Sequence, residues 1–171
     1  MDVFEAVRTR LEVKEFSGRR VPDEVRLRIL EAARLSPSGR NSQHWRFVLV
    51  DGREALSKLA DISFSGRWVA GADFAVIVTT DPNYQWNRLD AGRAIADMQL
   101  VAWEEGVGSR IYTGFDERAM RDAFSIPPNM EVTAVVGFGY PNRRIVGRKD
   151  RLPLDRIAYG GRFGEPLRIP R

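Results

Sequence analysis

The chain has 171 residues, of which 43% are hydrophobic and 29% charged, so it is long enough for one domain with its own core. It has no Cys and a single His, which excludes disulfides, thiolate nucleophiles and metal sites built from several histidines. A formal net charge of +4 favours either an anionic ligand or a solvated arginine-rich surface.

The first part of the chain predicts two helices around a short extended segment. A helix is expected from Asp2, where Glu5 three residues later suits a capping box. The sequence VKEF, residues 13–16, is then short and extended. Apolar residues at helical spacing predict a second helix over 22–35, which a proline ends.

The middle of the chain predicts two strands and two helices. The strands are WRFVLV at 45–50 and DFAVIVTT at 73–80, and the second is apolar enough to be a central strand buried on both faces. A short helix is expected at 53–60. The longest helix is expected at 89–105, with one apolar face and glycines just beyond its end.

The last part predicts an extended piece at 109–114, a helix capped by Asp116, and a strong strand at 132–141. Strands that alternate with helices predict an α+β fold with a mixed sheet flanked by helices, in one domain over 1–171. The segment 142–171 is irregular but contains apolar residues. We expect it to form an arm that wraps around a second copy of the chain.

Several functional classes lack their motifs. No G-x-G-x-x-G follows a strand and no G-K-[ST] is present, which disfavours a Rossmann site and a P-loop. Ser-His-Asp catalysis would have to use His44, and no G-x-S-x-G accompanies it. Aromatic residues are not interleaved with the basic ones, so nucleic-acid binding is not expected. No apolar run is long enough to span a membrane and no signal peptide is recognised, so we predict a cytoplasmic location.

The segment RTRLEVKEF is the first candidate for ligand binding. In an extended backbone Arg10, Glu12 and Lys14 point to the same side. Arg10 and Lys14 could then bind an anion and a polar ring edge. Their alternating signs fit equally well with a surface ladder of ion pairs.

Two further stretches are candidates on residue type alone. In SPSGRNSQHW, residues 37–39 allow a close approach of the backbone, and the amides of Asn41 and Gln43 can both donate and accept. In YTGFD, Gly114 could present a bare N–H before the helix capped by Asp116. Each stretch can also be read without a ligand, as a plain connecting loop and as a glycine before a helix cap.

Five segments taken in order resemble the nitroreductase family of flavoproteins. They are RTRLEVKEF, ILEAARLSPSGRNSQHWRFVLV, VGSRIYTGFD, VVGFGYP and RKDRLPLDRI, and they span about residues 3–160. The most specific element is APSxxNxQPW before a strand, which begins with Ser36-Pro37 and ends with His44-Trp45 here. Two departures are Glu12 where the family usually has Ser, and His44 where it usually has Pro. The segment between Asp81 and Leu89 is also short, so any insertion that covers the substrate is reduced.

The resemblance implies a homodimer that binds FMN at the subunit interface, with both chains contributing to each site and no metal. The residues that match the family's cofactor-binding positions are Arg10, Leu11, Glu12, Lys14, Pro37, Ser38, Gly39, Asn41, Arg67, Thr113, Gly114, Arg148, Lys149 and Arg151. Among them, Arg10, Lys149 and Arg151 match positions near the phosphate. Lys14 and Gly114 match the catalytic positions at the pyrimidine side and at flavin N5.

The activity that the resemblance implies is reduction of nitroaromatics, quinones or other small electron-poor acceptors by NAD(P)H, in a ping-pong mechanism. Two alternatives stay open. One is a specialised flavin enzyme of the same fold, such as a reductive dehalogenase or a flavin-fragmenting synthase. The other is an FMN-binding protein without catalytic activity.

Overall fold

The computed structural model describes residues 1–168, which form one four-stranded sheet with helices on both faces. The order along the sheet is β1-β2-β4-β3. No helix among residues 1–168 is long and apolar enough to cross a membrane. In chain order the elements are α1 Val3–Thr9, α2 Asp23–Leu35, β1 Trp45–Asp51, α3 Arg53–Ile62, β2 Phe74–Thr80, α4 Asn87–Glu104, β3 Gly108–Tyr112, α5 Glu117–Phe124 and β4 Glu131–Gly139.

The predicted α+β fold is confirmed, but the four strands pair antiparallel throughout, not as the mixed sheet that was expected. The helix-linked strands β2 and β3 do run parallel to each other, because both are antiparallel to β4. Since β4 lies between them, they are not neighbours. Within residues 1–168, parallel pairing is limited to one bridge, between Glu12 and Ser109 at the outer edge of β3.

The central strand β2 is buried along its whole length, as its apolar run predicted. Its side chains alternate between two cores. Phe74, Val76 and Val78 face the core formed with α2 and α4, while Ala75 and Ile77 face the core formed with α3. The Phe74 ring stacks on Phe138 of β4 with 4.9 Å between ring centroids, which ties the two central strands together.

The helix caps that the sequence predicts at Asp2 and Asp116 are present in the structure. The Asp2 carboxylate accepts the Glu5 N–H at 2.8 Å and begins α1, and the Asp116 carboxylate accepts the Ala119 N–H at 2.9 Å and begins α5. Gly106, at a φ of +72°, follows the end of α4. These contacts involve residues three positions apart, which is why residue types alone could predict them.

The segment after Gly139 is irregular apart from a short 3-10 turn at Leu154–Arg156. Its larger apolar side chains are exposed, and Phe163 has 91% of its surface accessible. They are Val146, Leu152, Leu154, Ile157 and Phe163. Apolar surface of this extent is typical of an interaction site. The predicted arm included residues 169–171, which lie outside the described residues.

The buried side chain of Arg26 joins helix α2 to two strand ends. Its Nη1 donates to the Asp51 carboxylate at 3.0 Å and its Nη2 to the Asp73 carboxylate at 2.6 Å. Asp73 also accepts the Val21 N–H at 3.0 Å. The guanidinium is 5% exposed and Asp73 12% exposed, so removal of the arginine would leave a carboxylate largely buried without its counter-charge.

We predict that Arg26→Met lowers the free energy of unfolding by about 3 kcal/mol, near the lower end for a broken buried pair, because Asp51 is half exposed. Urea denaturation at a fixed protein concentration measures it. The control is Arg28→Met on the same helix, where the arginine is 60% exposed and its loss of contacts with Glu104 and Glu105 should cost about 0.5 kcal/mol. Equal losses in both variants would contradict the role given to Arg26.

Candidate functional site

Four charged side chains from opposite ends of the chain meet beside α1. Arg10 Nη1 donates to Glu12 Oε1 at 2.6 Å, and the Lys149 ammonium donates to the Val7 carbonyl. The pKa of Lys149 is lowered, first by burial and then by the neighbouring Arg10 and Arg151 guanidinium groups, while Glu12 acts in the opposite direction. Three cations thus crowd around one carboxylate, an arrangement that favours the binding of an anion.

A cavity of about 640 Å³ adjoins this charged group. Its lining residues come from α1, from α4 and from the irregular tail: Phe4, Val7, Arg8, Thr9, Leu11, Trp103, Ile145, Gly147, Arg148, Lys149 and Arg151. Four of the predicted cofactor-binding residues, Leu11, Arg148, Lys149 and Arg151, therefore share one cavity, and Arg10 lies within electrostatic range of it. Trp103 Nε1 donates to Thr9 Oγ1 at 3.0 Å and fixes the apolar wall.

The basic segment that contains Lys14 lies along the outer edge of β3. The Val13 N–H donates to the Ser109 carbonyl at 3.0 Å, next to the parallel bridge between Glu12 and Ser109. After Val13 the segment turns toward residues 140–142, because the Asn142 N–H donates to the Glu15 carbonyl at 3.2 Å and the Ser17 N–H to the Tyr140 carbonyl at 2.8 Å. The exposed Lys14 therefore lies near the start of the edge strand β3, and Gly114 follows the end of the same strand.

The turn at Thr113–Gly114 is anchored through the carbonyl of Gly114. This carbonyl accepts the Phe64 N–H at 2.8 Å and the Ser63 hydroxyl at 3.2 Å. No acceptor within residues 1–168 takes the Gly114 N–H, so that donor is available to a ligand. A Cβ at Gly114 would lie 2.8 Å from Ser65 Oγ, and the exposed Arg67 follows two residues after Ser65.

The loop that contains Pro37, Ser38, Gly39 and Asn41 lies elsewhere. It precedes β1, which is at the opposite edge of the sheet from β3, three strand spacings or about 14 Å away. One chain therefore carries two separate groups of predicted site residues. The structure brings Arg10, Glu12, Lys149 and Arg151 together. Lys14 and Gly114 lie on the same side of the sheet, at the edge strand β3, whereas the loop lies at the opposite edge.

Residues under this loop were missed by the sequence analysis. Gly39 lies so close to Trp86 that a Cβ would come within 2.5 Å of the indole, and Trp86 Nε1 donates to Ser42 Oγ at 3.4 Å. Asp90 accepts the Gly39 N–H at 2.9 Å. Trp86 and Asp90 come from a region interpreted as a chain break and a helix start, and no local pattern indicates that they contact a loop almost 50 positions earlier.

A slightly larger cavity, of about 670 Å³, contains none of the predicted site residues. It lies around Arg26, Asp51 and Asp73, and Phe16 and Ser17 form part of its wall. The charges there already pair with one another, as described above. We therefore place the candidate site at the charged group beside α1 and not in this larger cavity.

Comparison with known proteins gives consistent matches. The profile of the family described as "Nitroreductase family" matches residues 7–77 and 65–140. Proteins of Methanothermobacter thermautotrophicus and Archaeoglobus fulgidus, both named "Putative NADH dehydrogenase/NAD(P)H nitroreductase", are each 33% identical to this chain. The first alignment covers 92% of this chain and 86% of the relative, and the second covers 91% and 96%.

A solved structure has a similar fold. The FMN-dependent nitroreductase from Clostridium difficile R20291 superposes with a TM-score of 0.86, over 94% of this chain and 100% of that chain. The sequence identity of this pair is 23%, so the match shows the fold alone. The matches therefore extend over nearly the whole chain, not over one motif.

Proposed function

The chain belongs to the nitroreductase family, and from this premise we propose that it is an FMN-dependent oxidoreductase. It uses NAD(P)H to reduce nitroaromatics, quinones or similar electron-poor small molecules. The observation that carries the proposal is the group of Arg10, Lys149 and Arg151 against a cavity, on the sheet edge where the Gly114 N–H is available. The names of the relatives, which include an NAD(P)H nitroreductase and an FMN-dependent nitroreductase, support the same assignment.

The donor set fits the phosphate of FMN. A dianion leaves water at low cost when cations and N–H donors replace its hydration, and three cations surround this position. Burial and then the charges of Arg10 and Arg151 lower the pKa of Lys149, and an anion there would offset the repulsion between these cations. Arg10, Lys149 and Arg151 would hold the phosphate, while Leu11 and Arg148 form part of the cavity wall.

The Glu12 carboxylate reduces the share of phosphate binding that Arg10 can contribute. A carboxylate beside a phosphate would repel it, but Glu12 is paired with Arg10 at 2.6 Å. Arg10 is therefore shared between Glu12 and the anion. Lys149 and Arg151, for which no carboxylate ion pair is present within residues 1–168, would contribute the larger part of the affinity.

Catalytic roles are proposed for Lys14 and Gly114, which lie at the edge strand β3. When bound, FMN supplies two-electron chemistry, accepting a hydride from NAD(P)H and passing the electrons to the acceptor in a ping-pong sequence. Lys14 would provide a positive charge at the pyrimidine side of the flavin, which would stabilise the reduced form. Gly114 offers its N–H without adding a titrating group, and Thr113 and Arg67 flank it. Burial raises the pKa of the adjacent Tyr112 phenol, so this group stays protonated.

A second copy of the chain completes each site. The loop with Pro37, Ser38, Gly39 and Asn41 lies at the sheet edge opposite Lys14 and Gly114, which supports a site in which a partner subunit would supply this loop. The exposed apolar side chains of the tail support a homodimer in which this arm covers the partner. The cytoplasmic location stays a prediction from the sequence.

The proposal predicts that purified protein contains FMN and that NADH or NADPH bleaches its visible absorption under anaerobic conditions. The bound flavin is released by denaturation and identified by chromatography. Recovery of the colour after addition of a quinone, with parallel steady-state lines, supports the ping-pong sequence. Flavin that NAD(P)H does not bleach would indicate the non-catalytic alternative, and absence of FMN binding would contradict the proposed function itself.

We predict that Arg151→Glu weakens FMN binding by about 100-fold or more, because a charge-assisted contact is replaced by repulsion. Titration of flavin-free protein, followed by flavin fluorescence, measures the affinity. The matched control is Arg118→Glu on α5, an exposed arginine whose ion pair with Asp122 spans 4.0 Å, and its affinity should stay at the wild-type value. Full retention of FMN by the Arg151 variant would contradict the phosphate assignment.

Lys14→Ala is expected to lower the reduction potential of the bound flavin. One charge-assisted hydrogen bond is worth about 1.5–3 kcal/mol, which corresponds to about 30–65 mV for a two-electron couple. Lys14→Arg keeps the charge and should restore most of the potential, and redox titration against dyes measures both variants. An unchanged potential in Lys14→Ala would remove this residue from the catalytic role.

A further inference from the structure

One buried carboxylate contacts the loop between α2 and β1 at two points. Asp90, in the first turn of α4, is 1% exposed. Its Oδ2 accepts the N–H of Gly39 at 2.9 Å and lies 3.2 Å from Nε2 of His44. Gly39 begins the 3-10 turn of the loop, and His44 is the last residue before β1. Everything between these two contacts is the segment 40–43.

The segment between the two contacts has an unfavourable backbone. Arg40, Asn41 and Gln43 have φ values of +53°, +56° and +47°, in the left-handed region that non-glycine residues rarely adopt. Such residues persist only where their surroundings hold them, and they concentrate at functional sites. The Gln43 N–H donates to Ser38 Oγ at 3.0 Å, but this bond is local to the loop and exposed. From outside the loop, Asp90 contacts Gly39 and His44, and Trp86 Nε1 donates to Ser42 Oγ at 3.4 Å between them.

Asp90 and Tyr84 hold the His44 ring in place. Because a carboxylate oxygen accepts, the imidazole donates from Nε2, and its buried Nδ1 has no hydrogen-bond partner within residues 1–168. The ring stacks on Tyr84 with 5.0 Å between centroids. Arg93 Nη1 lies 3.3 Å from the other carboxylate oxygen, Oδ1. The imidazole is therefore held by a donor contact on one side and an aromatic face on another.

We propose that Asp90 and His44 are positioning residues that hold the loop 37–43 in the shape that lines the flavin slot. The proposal rests on the proposed function, because the slot is the flavin slot inferred above. The contact of the His44 side chain with Asp90, at 3.2 Å, fixes the end of the loop that leads into β1. The loop would lose its shape if either partner of the contact were removed.

The first test does not depend on flavin. Limited trypsin digestion followed by mass spectrometry measures cleavage after Arg40, an exposed residue in the loop, relative to cleavage after Arg144 in the tail. His44→Leu removes the N–H that donates to Asp90. Asp90→Asn replaces the carboxylate by an amide, whose N–H₂ group opposes the N–H groups of Gly39 and His44. Both should increase relative cleavage by about tenfold, as expected for one lost hydrogen bond to a buried charge. His44→Gln keeps an N–H donor and should stay close to wild type.

The second test uses FMN affinity and the absorption spectrum of the bound flavin. His44→Leu should bind FMN about tenfold more weakly with an altered visible band, while His44→Gln should restore both. The control for general destabilisation is Arg26→Met, at the opposite end of the sheet, which should bind FMN like wild type at a temperature where it is folded. An equal loss in Arg26→Met, or unchanged cleavage and affinity in His44→Leu, would overturn the proposal.

The two tests separate this inference from the proposed function. If wild-type protein binds no FMN but His44→Leu accelerates cleavage after Arg40, the hold on the loop is supported and the flavin assignment is wrong. If wild type binds FMN and cleavage and affinity do not respond to His44, the flavin assignment is supported and the positioning role is wrong.

Discussion

Burial of β2 on both faces is the constraint on which the rest of the structure depends. The strand lies between two apolar cores, and both faces of the sheet are covered by helices. Polar groups that bind a ligand are therefore confined to the edges and ends of the sheet, where backbone donors are free and charged side chains remain solvated. The candidate site residues follow this rule, since one group lies along the outer edge of β3 and the other before β1 at the opposite edge.

Electrostatics distinguishes the two groups. Beside α1, like charges from the beginning and the end of the chain lie close together, and burial followed by the repulsion from Arg10 and Arg151 lowers the pKa of Lys149. The loop before β1 instead has a strained backbone and a buried carboxylate that contacts it at two points. The first group is suited to binding an anion, and the second to forming a shaped wall. A flavin mononucleotide needs both, because it has a phosphate at one end and a planar ring at the other.

Features that depend on neighbouring positions could be predicted from the sequence. The caps at Asp2 and Asp116, the buried run of β2 and the boundaries of α2 follow from residue spacing within a few positions. Strand direction could not be predicted, because an apolar run does not specify its partner, and β4, which follows β2 and β3 in the chain, pairs between them. The contact of Asp90 with His44 joins positions 46 residues apart and has no local signature. The meeting of Arg10 with Lys149 and Arg151 was expected only through the family resemblance.

The separation of the two groups across the sheet has a genetic consequence under the proposed dimer. A chain altered only in the loop still carries an intact phosphate group, and a chain altered only at Arg151 still carries an intact loop. Two such defective chains, expressed together, would assemble hybrid dimers in which one of the two sites contains no alteration. Alleles of this gene would then fall into two complementation groups, divided by which edge of the sheet they damage.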